Sequence, residues 1–408
     1  MEPTVASATS GESKIRELIL GSIKRNTKQY TMFIALIAIW VIFALVTDRV
    51  FLTPRNLSNL FVQTVTTAIL AIGMVLVIVT GHIDLSVGSV LGFTGAVCAM
   101  LMIKFEWGVT ASIAGTAAVG LAIGAWHGFW VAYRKVPAFI VTLASMLAFR
   151  GLIIGITGGQ TQGLEMAPER AAEVFKLIGQ GYLPTFRPAT AGQLHDTSLY
   201  FSLLMIVLFV VTALRRRAAR VKYGFAVPPL FAEVLRLVFG SALIGTFSMI
   251  MVIYLGIPLA VIFVLILTLI FDFIANDTTF GRHLYAIGGN PEAAKLSGIS
   301  VPRHTFALFM IMGLMTAIAG IFSTSRLNAA TTSAGQNAEL DAIASAVIGG
   351  TSLMGGEGTI YGAVIGALVM ASLDNGMSLM NMDITFQYVI KGLILLLAVW
   401  VDMAQRKK

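Results

Sequence analysis

Residues 30–47 read YTMFIALIAIWVIFALVT, a run without a single charged side chain. About 20 such residues cross the hydrocarbon core of a bilayer as a helix, because every backbone N–H and C=O is then paired within the segment. The run is not isolated: SVGSVLGFTGAVCAMLMI at 86–103, LYFSLLMIVLFVVTAL at 199–214 and IPLAVIFVLILTLIF at 257–271 are equally free of charge. Of 408 residues, 57% are hydrophobic and only 12% charged, and the mean hydropathy is +0.86. A water-facing domain needs a polar surface that this composition does not supply. The sequence therefore predicts an all-α, polytopic transmembrane helix bundle.

Apolar runs place membrane segments at about 30–47, 58–80, 86–103, 109–133, 139–157, 199–214, 235–254, 257–275, 305–323, 340–353, 359–373 and 386–402, twelve in all. They form one membrane domain, 30–403, between a tail at 1–29 and a short tail at 404–408. Of the 28 lysines and arginines, 18 fall in the first tail, the turn after Tyr133, the RRRAARVK run at 215–222, the loop at 276–304 and the C-terminus. Basic residues accumulate on the cytoplasmic side, so both termini are expected inside, and the even number of spans agrees. The +8 net charge is thus read as a topology signal and not as a nucleic-acid footprint, since the basic residues sit at the ends of spans. The N-terminus lacks a short apolar core and a small-residue cleavage site, which reads as a retained tail. Cys98 is the sole cysteine, so neither an intrachain disulfide nor a multi-cysteine metal site is expected.

The segment 340–353 is short and rich in small side chains, which leaves a complete crossing and a broken, re-entrant helix both open. An internal offset of 270 residues superposes Gly88 on Gly358 and Gly92 on Gly362, suggesting two helix–turn–helix units of the same orientation. Glycines recurring every fourth residue (Gly88 and Gly92; Gly120, Gly124 and Gly128; Gly358, Gly362 and Gly366) give smooth faces for close helix packing, and that is the role assigned to them.

Soluble catalytic signatures are missing. There is no GK dipeptide, hence no Walker A loop, and no HExxH, so the chain is not expected to hydrolyse ATP alone. Ionisable residues at membrane depth are costly unless paired or facing water. Arg150, Lys391 and Asp272 qualify, with Asp84 near a turn; Arg150 and Lys391 serve either in structural pairing or snorkelling, or in a translocation path. Mid-span carboxylates look too few for a proton- or sodium-coupled transporter, and no aromatic and carboxylate cluster is evident in the membrane. The loop at 158–197 is long enough to be functional and contains an amphipathic stretch, APERAAEVFKLIGQ; it either contacts a partner outside the membrane or caps the bundle.

On the inner side, YAIGGNPEAAKLSGIS at 285–300 contains a short helix begun through Asn290 and Pro291 and stopped at Gly298. Such a helix at a membrane face has little to bury alone and suits docking of a second protein. EAAKLSG matches the Glu-Ala-Ala, three residues, Gly loop by which permeases of bacterial ATP-binding cassette importers engage their ATPase subunits. Together with AIGMVLVIVTGHIDLSVGS, ELDAIASAVIGGTSLMGGEGTIYGAVIGAL and SLDNGMSLM, it resembles the monosaccharide permeases of the ribose, xylose and arabinose group over nearly the whole chain. WVAYRKVPAFIVTLASMLAFRGLIIGIT and the span pair at 199–254 are most similar to the D-xylose branch, with multiple-sugar permeases for xylose, arabinose, glucose and galactose beside it.

The resemblance implies a ten-span core plus the inserted pair, and a homodimer in the bacterial inner membrane. It implies two partners, a cytoplasmic subunit that binds the ATP and a periplasmic sugar-binding protein, with no metal or cofactor on this chain. By motif, Glu292, Ala293, Ala294 and Gly298 are the residues expected to couple to the ATPase. Asp84 and the Leu340 to Glu357 turn that the repeat sets opposite it are candidates for an inner gate, so that Asp84, Arg150, Glu357 and Lys391 are the residues expected in a path or gate. An ion-coupled secondary sugar transporter is the reading of another class; a membrane-embedded enzyme is disfavoured by the lack of paired acid, base or metal ligands.

Overall fold

The computed structural model describes residues 27–186, 193–225 and 227–406. The expected tail at 1–29, but for its last residues, and the last two residues of the chain lie outside them. Five helices open the fold: α1 (Thr27–Val46), α2 (Pro54–Val79), α3 (Val87–Ile103), α4 (Val109–Gly128) and α5 (Ala138–Thr157). A two-residue strand β1 (Gln162–Gly163) and α6 (Glu169–Gln180) follow, then α7 (Asp196–Lys222), α8 (Leu230–Tyr254) and α9 (Leu259–Asp277). Two short helices, α10 (Thr279–Gly289) and α11 (Pro291–Leu296), lead into α12 (Val301–Leu327), β2 (Ala329–Ala330), α13 (Ala338–Ile348), α14 (Ile360–Leu379) and α15 (Ile384–Arg406).

Among the described residues nine helices are long and apolar enough to cross a membrane, with Met32–Val46 of α1 and Val87–Ile103 as shorter apolar helices. The chain is a multi-pass membrane protein. The segment 340–353, open between a complete crossing and a broken helix, is helical over only part of its length. Its helix, α13, has 11 residues and is about 16 Å long, roughly half a crossing. Gly349 and Gly350 end it, the second at φ +88°, and irregular chain runs on to Thr359. Other ends move as well: α7 continues through the whole basic run to Lys222, where the apolar pattern stops at 214. Arginine and lysine are good helix formers, so loss of hydropathy does not end a helix.

Burial sorts the helices. From Ala68 to Val79 every residue of α2 is buried, as befits a helix apolar on all sides, and α12 and α14 pack along it. In contrast α7, α8 and α15 present most of their apolar surface outward, to lipid. Across the α4–α12 contact, Gly124 lies against the backbone of Phe309 and Met310 and Gly120 against Gly313 O and the Ala317 methyl, so the two helices meet closely through small groups. The other glycine rows pack likewise, Gly88 and Gly92 on the carbonyls of Gly335 and Ala334, Gly366 on the backbone of Ser345. Gly124→Val is expected to lower the stability of the detergent-solubilised protein by about 1–3 kcal/mol. Gly155→Val, at a glycine with nothing within 4 Å, should leave the thermal midpoint unchanged.

The element order also follows the 270-residue offset: α2 and α13 end at matching positions within one residue, each followed by a break and then a helix, α3 or α14. The two breaks are neighbours, joined by a hydrogen bond from Gly356 N to Val79 O of 2.8 Å. On the opposite face β1 pairs antiparallel with β2, and α6 lies over the end of α12. There Phe175 and Leu164 are fully buried, and Ser325 Oγ accepts from Gly179 N at 2.8 Å while donating to Phe175 O at 2.6 Å. The amphipathic stretch expected within 158–197 is therefore a helix that caps the bundle.

Candidate functional site

Two places hold the chemistry that the sequence singles out. The first is the elbow formed by α10 and α11. Thr278 caps α10 by accepting from Gly281 N at 3.1 Å. Asn290 caps α11, its Oδ1 accepting from Glu292 N at 3.1 Å and Ala293 N at 3.0 Å, and Pro291 occupies the first turn, where no N–H is required. The far end closes as a Schellman turn: Gly298 sits at φ +84°, its N–H reaches Lys295 O at 3.0 Å, and Ile299 N reaches Ala294 O at 3.1 Å. A six-residue helix is thus fastened at both ends by its own sequence.

Of the four residues expected to couple, Ala294 faces inward and is buried, whereas Glu292, Ala293 and Gly298 are exposed. Leu296 is 88% exposed, the most open of the large apolar side chains, and projects from the same helix. The sequence reading missed it because a leucine in an apolar chain raises no signal. Asn290→Ala is expected to cost about 1 kcal/mol of local stability and to speed hydrogen exchange at the amides of Glu292 and Ala293. Unchanged exchange there would mean that the cap does not hold the helix.

The elbow is wedged against the membrane helices. Gly288 packs so closely that a Cβ there would overlap Val79 O at the end of α2, with Gly356 N 2.7 Å away. Tyr285 donates its hydroxyl to Gly358 O at 2.8 Å, and burial, followed by the charge of Asp272, pushes its pKa up, which keeps it a donor. His304 Nδ1 lies 2.8 Å from Ser300 O, which can only accept, so Nδ1 carries the proton. In the neutral pair His304 Nε2 then accepts from His283 Nδ1 at 2.9 Å, and Phe280 stacks on the same ring. These contacts join α10, on which α11 follows directly, to the end of α2, to the turn before α14 and to α12.

The second place is a charge cluster inside the bundle. Lys391 of α15 lies 3.1 Å from Asp341 Oδ2 of α13 and 2.8 Å from Asp374 Oδ1 of α14. Seven residues into α15, the ammonium is about 10 Å along the helix from Ile384. Three helices are held by one cation and two carboxylates where a lone charge would be costly. Asn375 and Asn56 exchange hydrogen bonds of 2.8 and 3.1 Å, and Trp40 Nε1 donates to Ser372 Oγ at 2.9 Å, so α14 is tied by polar groups to α1 and α2 as well.

Arg150 of α5 reaches the chain just before α13, donating to Ala334 O at 3.0 Å and Thr332 O at 3.4 Å. Arg150 thus holds the chain leading into α13, and Lys391 the helix itself. Asp84 is buried and accepts from Ser86 N at 2.8 Å and Ser86 Oγ at 2.6 Å, closing the chain into α3. Glu357 is exposed, and its carbonyl accepts from Ser352 N at 3.0 Å. The bond that joins the two turns runs from Gly356 to Val79, five residues before Asp84.

Asp341 and buried Glu339 lie in the first turn of α13, and Asp374 lies inside α14. They were missed because ELDAIAS and SLDNG look like span edges, whereas the structure makes both helical. Their signal was the i, i+2 acid pair opening a small-residue helix. Among the described residues no group of three or more histidine, cysteine, aspartate or glutamate side chains is placed to hold a metal ion.

Comparison with known proteins bears on the whole chain. Residues 56–399 match a family described as branched-chain amino acid transport system / permease component. The xylose transport system permease protein XylH of Escherichia coli (strain K12) is 48% identical over 94% of this chain and 93% of its own length. XylH of Haemophilus influenzae is 43% identical over 94% of this chain and 98% of its own. The ribose import permease protein RbsC of E. coli (strain K12) is 34% identical over 90% and 92%. No solved structure matches the chain.

Proposed function

The chain belongs to the branched-chain amino acid transport system / permease component family, and from that premise we propose that it is the membrane-spanning subunit of an ATP-binding cassette importer for D-xylose. The observation that carries the substrate is the 48% identity to a xylose permease along 94% of the chain, against 34% to a ribose permease. The family description speaks of amino acids, but the relatives named above are sugar permeases and cover the chain more completely.

In this reading the chain crosses the bacterial inner membrane with both termini inside, the stretch from β2 through α13 to the turn before α14 making one crossing in broken form. Residues 276–304 face the cytoplasm, and α11 docks in a cleft of a partner subunit that binds and hydrolyses ATP. Residues 158–197 face the periplasm, where a sugar-binding protein delivers its cargo, and the permease works as a homodimer. The support for docking is geometric: α11 is capped at both ends, presents Glu292 and Leu296 outward, and follows directly on α10, which rests through Gly288 on the end of α2. Displacement of α11 is then passed through α10 to Val79 and, by Gly288 and the Tyr285 hydroxyl, to the turn before α14. The sugar undergoes no covalent change, and ATP supplies the free energy.

Uptake of labelled xylose, arabinose, ribose, galactose and glucose by the native bacterium, with and without this gene, tests the substrate. Selective loss of xylose uptake is expected. Loss of several sugars would make this a multiple-sugar permease, and retention of them all would overturn the substrate class.

A further inference from the structure

The hairpin of α7 and α8 takes part in neither the elbow nor the charge cluster, yet its turn is the most basic part of the described chain. Between Asp196 and Glu233 there is no acidic residue, while Arg215, Arg216, Arg217, Arg220 and Lys222 follow directly on the apolar run at 199–214. All five lie on one unbroken helix. Arg217 serves the hairpin itself: its Nη1 donates to Pro228 O at 2.9 Å and lies 3.8 Å from Oε2 of buried Glu233. Arg216 lies near Asp272 of α9. Arg215, Arg220 and Lys222 are exposed and, among the described residues, have no ion pair. At about 100° per residue, they and Arg216 cover an arc of roughly 160° on the side of α7 turned away from Arg217.

The turn that follows exposes large apolar side chains: Tyr223, Phe225, Leu230 and Phe231, the last at 78%. In water such a group of rings would be unfavourable, and in hydrocarbon the cations would be. Both are satisfied at the headgroup boundary, where rings enter the acyl layer and cations meet phosphate. The positive-inside rule explains cations on a loop but neither the exposed rings nor the internal ion pair that shapes the turn. We propose that the α7–α8 turn is a binding surface for anionic phospholipid headgroups, with Arg215, Arg220 and Lys222 on the phosphates and Phe225, Leu230 and Phe231 in the acyl boundary. The inserted pair would then anchor the permease beside its moving core and make transport responsive to the charge of the membrane.

The test uses the full chain taken from vesicles of phosphatidylcholine and phosphatidylglycerol into mild detergent, with retained lipid quantified by mass spectrometry. The unmodified protein should retain phosphatidylglycerol in preference to phosphatidylcholine, and the preference should fade in high salt. R215Q/R220Q/K222Q should retain at least about threefold less phosphatidylglycerol, with phosphatidylcholine unchanged. R215K/R220K should retain it as the unmodified protein does. Absence of any preference in the unmodified protein, which needs no variant to fold, would overturn the proposal. So would equal retention by the glutamine variant, including the case where that variant instead loses a co-purifying ATPase subunit and the patch proves to meet an acidic protein surface.

Discussion

Replacing Lys391 by methionine is expected to leave little folded protein in the membrane. The substitution keeps the length of the side chain and removes its charge, so Asp341 and Asp374 face each other within the bundle with no counterion. Removing one partner of a buried ion pair costs about 3–5 kcal/mol, and the partial exposure of Asp374 places this case towards the lower end. That is a large share of the stability of an ordinary domain. The control is K391M/D341N/D374N, which restores neutrality and should recover most of the lost thermal stability. A single variant as stable as the parent would show that the cluster does not bear on folding. If the neutral triple variant folds but no longer transports, the charges serve translocation as well as assembly.

Glu292→Lys is expected to reduce sugar uptake more than tenfold while leaving the amount of protein in the membrane unchanged. The side chain is exposed, so nothing in the chain's own packing depends on it. It lies in the first turn of α11, where a carboxylate is favoured by the positive end of the helix and a cation is not. Reversal therefore both weakens the helix slightly and inverts the charge presented to the ATPase subunit. Tenfold corresponds to about 1.4 kcal/mol, within reach of one reversed charge at a docking surface. Uptake at the parental level would remove Glu292 from the coupling surface. Loss of the protein from the membrane would assign it to folding.

Much of this was legible in the residues, for reasons that differ from place to place. The apolar runs identify spans because a bilayer tolerates little else, and α11 was readable to the residue because Asn-Pro and Gly are local stop and start signals whose effect needs no tertiary context. The packing role of Gly120 and Gly124 followed from spacing alone. Tertiary questions were not legible. Hydropathy cannot distinguish α13 from a crossing helix, since a half-helix buried among others is as apolar as a span. Nor could it reveal that Lys391 meets Asp341 and Asp374, because the partners are 50 and 17 residues away and are brought together only by the packing of α13 and α14 against α15. Gly288 and Tyr285 were invisible for the same reason: their importance lies in Val79 and Gly358, on other elements. The substrate is legible only through likeness to relatives, because no residue cluster described above is built to fit a pentose.

The central claim is that this chain moves a sugar at the expense of ATP bound by another subunit. The most direct measurement places the purified chain, its ATP-binding subunit and its sugar-binding protein in sealed vesicles and follows labelled xylose. Transport is expected to require ATP on the side of α11, to survive collapse of proton and sodium gradients, and to fall more than tenfold in Glu292→Lys. Xylose transport by the chain alone, driven by an ion gradient and indifferent to ATP, would contradict the claim.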